Sequence, residues 1–202
     1  MTLAPRFIEG RRPTKDELAT FHGFTVDDLL PNPVNLLFVG INPGLWTAAV
    51  NAHFARPGNR FWPALFLAGI TSTGFDASCG LGEDARAELE TKGIGITNLC
   101  SIATARADEL SKQQLQDGGE TLRALARAHS PNVVAVLGVT AYRQAFGNAK
   151  VSIGKSEDHF EKAELWILPN PSGLNAHESV VSLASWYGQA AAAAGITLTP
   201  PH

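Results

Sequence analysis

Four short, continuous stretches rich in Val, Ile and Leu constrain the fold most: Val34–Gly40, Ile94–Leu99, Val133–Leu137 and Leu165–Leu168. None shows the in-out alternation of a strand with one wet face, so each is predicted to be a strand buried on both sides. Helical patterns fall between them, at about 59–69, 83–91, 110–128, 139–147 and 176–194. Within Glu120–Ala128, for example, Leu122, Leu125 and Ala126 share one stripe and the charges lie elsewhere. Strands alternating with helices predict βαβ units, and hence an α/β fold with parallel pairing and helices on both faces of the sheet. Gly118-Gly119 inside a helical stretch costs about 1 kcal/mol per glycine against Ala, which predicts a kink or a close packing contact there.

A chain of 202 residues suits one large domain, expected over 25–195, with an N-terminal extension over 1–24 and a C-terminal tail over 196–202. The extension is charged: Arg6, Arg11, Arg12 and Lys15 are set against Asp16 and Glu17. Its Thr14-Lys15-Asp16-Glu17 has the spacing of a capping box and predicts a short helix to about residue 22. An apolar content of 45 % with 17 % charge excludes global disorder. No apolar run reaches the roughly 18–20 residues that cross a bilayer, and Met1–Arg6 lacks the apolar core of a signal peptide. A cytoplasmic protein without a membrane partner is expected. Cys79 and Cys100 are too few for a disulfide scaffold or a four-thiolate site and are expected as reduced thiols, Cys100 near a strand end. No His, Cys or carboxylate group has ligand spacing, so neither metal nor cofactor is expected. A net charge of −3 exerts no bulk pull on nucleic acid, so a polyanionic partner would have to meet a local basic patch.

Two of the strand candidates end alike. Leu36–Gly40 runs into Ile41-Asn42-Pro43-Gly44, and Leu165–Leu168 into Pro169-Asn170-Pro171-Ser172-Gly173-Leu174. In an open parallel sheet the ligand site forms outside the carboxyl ends of the strands, so these two loops should meet at one site. Asn32-Pro33 precedes a strand and is expected at the opposite edge as a plain turn. The first loop is neither a dinucleotide-binding nor a phosphate-binding glycine loop. Its fixed polar side chain is a neutral amide, able to orient a water or bind a base edge and unable to act as a nucleophile. Phe54-Ala55-Arg56-Pro57-Gly58-Asn59-Arg60-Phe61-Trp62 interleaves aromatic and basic residues, the composition for stacking a base and holding phosphates. Phe61 and Trp62 are expected in the core; Phe54 is open to either role. Ser101–Glu109 should emerge at the same edge as Asn42. There Asp108 or Glu109 either supplies a carboxylate near the reacting centre or caps the helix that starts near 110.

Taken in order, four segments resemble one known family. They are Val39–Leu45, Phe54–Trp62, Gly93–Asn98 and Leu168–Leu174, with Leu110-Ser111-Lys112 and Gly118-Gly119 also in register. The chain from about Asp28 to Tyr187 is similar to the mismatch-specific uracil/thymine DNA glycosylases. That resemblance implies a three-layer α/β/α fold on a central, mainly parallel sheet of four to five strands. It implies a monofunctional enzyme, acting as a monomer, that hydrolyses the N-glycosidic bond of uracil or thymine in double-stranded DNA with a G·U or G·T mismatch. By the same resemblance Phe54 stacks on the flipped base, Asn42 positions the attacking water and backbone amides around Ile41 bind the pyrimidine edge. Asn170 shapes the pocket, and Leu174, set after Gly173 and before Asn175, wedges into the duplex. Arg56, Arg60 and Lys112 are the candidates for phosphate contact.

The chain departs from the family pattern at several positions. Trp46-Thr47 replace small hydroxyl residues, and Asn98 stands where a Lys often follows the strand, which bears on exclusion of the thymine methyl. Asn175-Ala176 replace the Ser and Arg that help read the opposing guanine, so uracil opposite adenine or in single strands is expected among the substrates. An amide at Asn170, where faster relatives carry a His, predicts slow turnover; His177 is expected to be solvated or on a phosphate. Two other functions remain compatible with the motifs: a small-molecule nucleobase-binding enzyme and a non-catalytic binder of DNA lesions. No Lys lies beside Asn42 in the motif to form a Schiff base, so lyase activity is not expected.

Overall fold

The apolar runs become a sheet whose residues alternate between two cores. In the computed structural model, which describes residues 7–199, five strands form: β1 Leu36–Gly40, β2 Ile94–Asn98, β3 Val133–Leu137, β4 Gly154–Phe160 and β5 Ala163–Leu168. Met1–Arg6 and the end of the expected tail lie outside the described residues. The sheet order is β2-β1-β3-β5-β4, with β1, β2, β3 and β5 parallel and β4 antiparallel to β5. Leu36, Phe38, Val133, Ala135, Leu137, Trp166 and Leu168 face one layer, and Leu37, Val39, Val134, Val136, Leu165 and Ile167 the other. The first layer is α3 (Phe61–Leu67), α4 (Glu83–Thr91) and α7 (Val180–Ala193); the second is α5 (Lys112–His129) and α6 (Val139–Phe146). The result is the three-layer α/β/α arrangement.

Two further helices complete it. The predicted capping box forms on α1 (Lys15–Ala19), which ends sooner than expected. The short α2 (Leu45–Val50) follows the first Asn-Pro loop and was not foreseen, because Leu-Trp-Thr-Ala-Ala-Val carries no polar face. Ile8 N–H donates to Ala49 O at 2.7 Å, and Phe21 and Val26 pack with Ala48, Ala49 and Ala103, so the described part of the extension rests on α2. At the other end Ile196 is buried and Thr199 N–H bonds Gly69 O, so the start of the tail is also tied down. No described helix is long and apolar enough to cross a membrane.

Other boundaries moved for identifiable reasons. β4 escaped prediction because Gly-Lys-Ser-Glu-Asp-His-Phe is an edge strand with exposed, charged side chains. The last helix starts at Val180 with Ser179 as its cap, so residues 176–179 belong to the second loop. The long helix α5 starts at Lys112 under a Ser111–Gln114 capping box, and Ala107–Glu109 form a separate 3-10 turn.

Gly118 explains its own cost. A Cβ there would lie 2.0 Å from Leu99 O, so α5 can press on the end of β2 only without a side chain. Helix propensity alone would make Gly118→Ala stabilising by about 1 kcal/mol. The backbone clash reverses the sign, and denaturant unfolding should show a net loss of about 2 kcal/mol. An unchanged or raised midpoint would refute this packing.

Candidate active site

The loops leaving β1, β2 and β5 converge because their strands point the same way and end level: Gly40 pairs with Asn98, and Leu137 with Leu168. Leu99 N–H donates to Gly40 O and Cys100 N–H to Ile41 O, each at 2.9 Å, which extends the β1–β2 ladder into the loops. Among the described residues no acceptor engages the backbone N–H of Ile41 or Asn42, so both remain as donors on the cavity wall.

Asn42 is held by its nitrogen. Its Nδ2 donates to Thr104 Oγ1 at 2.7 Å, Ile102 O at 3.0 Å and Pro43 O at 3.1 Å. The two carbonyls can only accept, and the Thr104 hydroxyl spends its proton on Arg106 O at 2.7 Å. The amide therefore cannot turn over, and its Oδ1 is the end left for a ligand. Asn170 is held the opposite way. Its Oδ1 accepts from Ser172 N–H at 2.9 Å, an Asx turn that leaves the amide NH2 forward. Both side chains line one cavity of about 150 Å3, with Gly40, Ile41, Phe54 and Asn98. One asparagine offers it an acceptor and the other a donor.

Phe54 forms one wall. Its ring stacks on Phe61 at 4.1 Å and 25°, and Phe61 packs edge-on to Phe38 at 5.3 Å in the buried core. The residue sits at φ 55°, a left-handed conformation that costs a bulky side chain about 1–2 kcal/mol. Such strain persists only where surroundings impose it, and here it holds a half-buried ring at the cavity. Phe61 and Trp62 are core, as expected. Gly40 admits the ring: a Cβ there would meet Phe54 Cζ at 3.2 Å and Asn98 Oδ1 at 2.4 Å.

Asn98 is better placed than its sequence position suggested. Its Nδ2 lies 3.3 Å from Nδ1 of His53, whose Nε2 lies 3.2 Å from Asp27 O. His53 is buried, and that burial pushes its pKa down to about 4, so the ring is neutral near pH 7. Sequence reasoning passed over His53, a lone His with no ligand spacing around it. Its place just before the aromatic-basic stretch that begins at Phe54 was the one signal in the sequence.

The second loop carries Leu174, 80 % exposed and next to Gly173, which packs on Gly58 O. Arg60, expected on a phosphate, is instead turned inward. Its guanidinium donates to Ser172 O, Asn175 O and Glu178 O, and its backbone N–H to Pro171 O at 3.0 Å. Nε is buried without a partner, and both terminal nitrogens are engaged by carbonyls of the second loop. Asn175 is likewise spent inside the loop: its Nδ2 donates to Asn170 O at 3.0 Å and its Oδ1 accepts from His177 N–H at 3.2 Å. Arg56 is exposed on the cavity rim, and Lys112 is exposed on the first turn of α5. His177 is exposed and lies off the cavity lining.

Asp108 is exposed and paired with Arg106, and does not line the cavity. Glu109 accepts from Arg106 N–H at 3.0 Å and closes the 3-10 turn. Neither acid caps the long helix, whose cap is Ser111, and we assign neither a part in the chemistry. A larger cavity of about 290 Å3 opens beyond Asn98, but Asp28 and Asp117 on its lining would repel a polyanion. No group of three or more His, Cys, Asp or Glu side chains among the described residues is disposed to hold a metal ion.

An aromatic wall, two oppositely directed amides and spare backbone donors at the carboxyl edge of a parallel sheet make a cavity with the shape and polarity that a planar polar ring would fit. Comparison with known proteins narrows the class. The family model of the uracil DNA glycosylase superfamily matches residues 28–192, and the chain belongs to that superfamily, whose members are DNA glycosylases. Among solved structures it is similar to the solution NMR structure of a candidate uracil DNA glycosylase from Methanosarcina acetivorans. The TM-score is 0.56 at 16 % identity, over 86 % of this chain and 98 % of that one, a likeness of fold.

Proposed function

We propose that this chain is a monofunctional DNA glycosylase that flips uracil, and the thymine of a G·T mismatch, out of duplex DNA, with mismatched DNA as its main target. It hydrolyses the bond between C1′ and N1 and leaves an abasic site. The flipped ring stacks on Phe54, and its carbonyl edge meets the Ile41 and Asn42 N–H groups and the Asn98 amide. As the C–N bond lengthens, negative charge gathers on the departing base and the Asn170 NH2 meets it, while Asn42 Oδ1 holds a water against the cationic sugar carbon. The water oxygen forms the new bond to C1′, its proton leaves to solvent, and the base departs as an anion that is then protonated. Leu174 fills the vacated stack, and Arg56 and Lys112 meet phosphates.

The observation that carries this reading is the pair of asparagines fixed with opposite ends toward one small cavity beside a strained aromatic ring. That cavity is well below the roughly 300–1,000 Å3 of sites for drug-sized ligands and suits a single base. A small-molecule enzyme would leave the 80 % exposed Leu174 without a role. The test is a labelled duplex carrying one G·U pair. Strand cleavage only after alkali supports the proposal, cleavage without alkali contradicts the monofunctional mechanism, and tight binding with no cleavage replaces it with a lesion binder. Arms carrying G·T, A·U and single-stranded uracil define the range.

A further inference from the structure

We propose that His53 is the specificity-determining residue that sets uracil against cytosine, because its ring fixes which end of the Asn98 amide meets the base. This rests on the cavity being a nucleobase pocket. An isolated asparagine amide is nearly two-fold about its last torsion, and nothing intrinsic chooses between its faces. Uracil presents an N3–H donor beside the O4 acceptor; cytosine presents at the same two places an N3 acceptor beside an amino donor. One setting of the amide pairs with uracil, and the setting turned by half a rotation pairs with cytosine. An amide free to turn reads both.

The contacts around His53 remove that freedom. Nε2 lies 3.2 Å from Asp27 O, and a carbonyl can only accept, so Nε2 carries the proton. The neutral ring then has a bare Nδ1, and the group 3.3 Å from it must be the nitrogen of Asn98. Turning the amide would set Oδ1 against a lone pair, and relieving that would move the ring proton to Nδ1 and set Nε2 against Asp27 O. Asp27 is itself anchored: its N–H donates to Asn51 Oδ1 at 3.0 Å, and Asn51 Nδ2 donates to Asp27 Oδ2 at 2.8 Å. The ring is 6 % exposed, and Trp62 Nε1 donates to His53 O at 3.0 Å, so the imidazole does not swing away. Asn98 Oδ1 is thereby held toward Gly40 with the second N–H beside it, in the order that pairs with N3–H and O4. Cytosine meets acceptor against acceptor and donor against donor, the kind of mismatch by which a site built for hydrogen bonds rejects a near-isostere.

Two variants and one spectrum test this. His53→Phe keeps a flat ring and removes the acceptor; His53→Asn can place its own Oδ1 near the position of Nδ1. Single-turnover release of 5-fluorouracil and 5-fluorocytosine from otherwise identical duplexes gives the selectivity, the fluorine making both bases better leaving groups. His53→Phe should lower the uracil-to-cytosine ratio by about tenfold or more, and His53→Asn should restore part of it. Rates that fall together with an unchanged ratio would make His53 merely structural and overturn the proposal. Independently of any variant's folding, long-range 1H–15N correlation on the wild-type protein should show His53 neutral with the proton on Nε2; a proton on Nδ1 overturns it. If wild type releases no fluorouracil, the glycosylase reading fails, and the tautomer still reports on the lock.

Discussion

Asn42→Ala should lower single-turnover uracil excision by about 10²–10⁴-fold, while affinity for a G·U duplex stays within a few-fold of wild type. The side chain acts on a water that enters only the chemical step, so its loss should appear in the rate of that step and not in binding. Asn42→Asp is the sharper variant. A carboxylate is usually the better partner for a water, and chemistry alone would predict a faster enzyme. Here the second oxygen would face Ile102 O and Pro43 O, now 3.0 and 3.1 Å from an amide nitrogen, and three acceptors would crowd one another. The variant should therefore be slow, with the Ile102–Thr104 loop displaced. An Asn42→Ala rate within about tenfold of wild type would place the water elsewhere.

Arg60→Met should produce the second large effect, and in a different observable. The guanidinium ties Ser172, Asn175 and Glu178 together from beneath the loop that carries Leu174. Removing it frees three carbonyls that water can reach in part, and the expected loss of stability is about 2 kcal/mol. Excision from duplex DNA should fall by about 10–100-fold, at the scale of the stacking that the wedge replaces, while excision from single strands falls far less. A single ammonium can at best meet the two carbonyls that Nη2 now holds and leaves Glu178 O unpaired, so Arg60→Lys should recover only part of this. If Arg60 acts by aiming Leu174, the Arg60→Met and Leu174→Ala losses will not add, since the second removes what the first misplaces. Additive losses, or equal losses on duplex and single strand, would instead return Arg60 to direct phosphate contact or to simple folding.

What the sequence disclosed and what it hid follow one physical division. Buried strands declare themselves through unbroken apolar runs, and the convergence of the two Asn-Pro loops follows from parallel pairing. β4 gave no such signal, since an edge strand that must not recruit a partner is written in Lys, Glu, Asp and His. Within the site, Asn42 and Asn170 stood out as residue types, but which end of each amide faces the cavity depends on Thr104 and Ser172, partners that only the folded loops supply. Arg56 and Arg60 look interchangeable in a basic-aromatic stretch. One is exposed on the rim and the other is folded under the second loop, a difference set by where the turn at Gly58 sends the chain. His53 and Asn98 are distant in sequence and meet because the loop that follows α2 returns to the carboxyl end of β2. Asp108 drew attention as an acid near the right edge, and its neighbour Arg106 takes it up.

The central claim is that the two asparagines divide the reaction, Asn170 serving the departing base and Asn42 the incoming water. The most direct measurement compares single-turnover release of uracil and of 5-fluorouracil, a better leaving group, by wild type, Asn170→Ala and Asn42→Ala on the same duplex. Fluorine should shrink the Asn170→Ala defect, since a base that carries its own negative charge well needs less help. It leaves the Asn42→Ala defect unchanged. Equal shrinkage in both variants, or none for Asn170→Ala, would contradict that division.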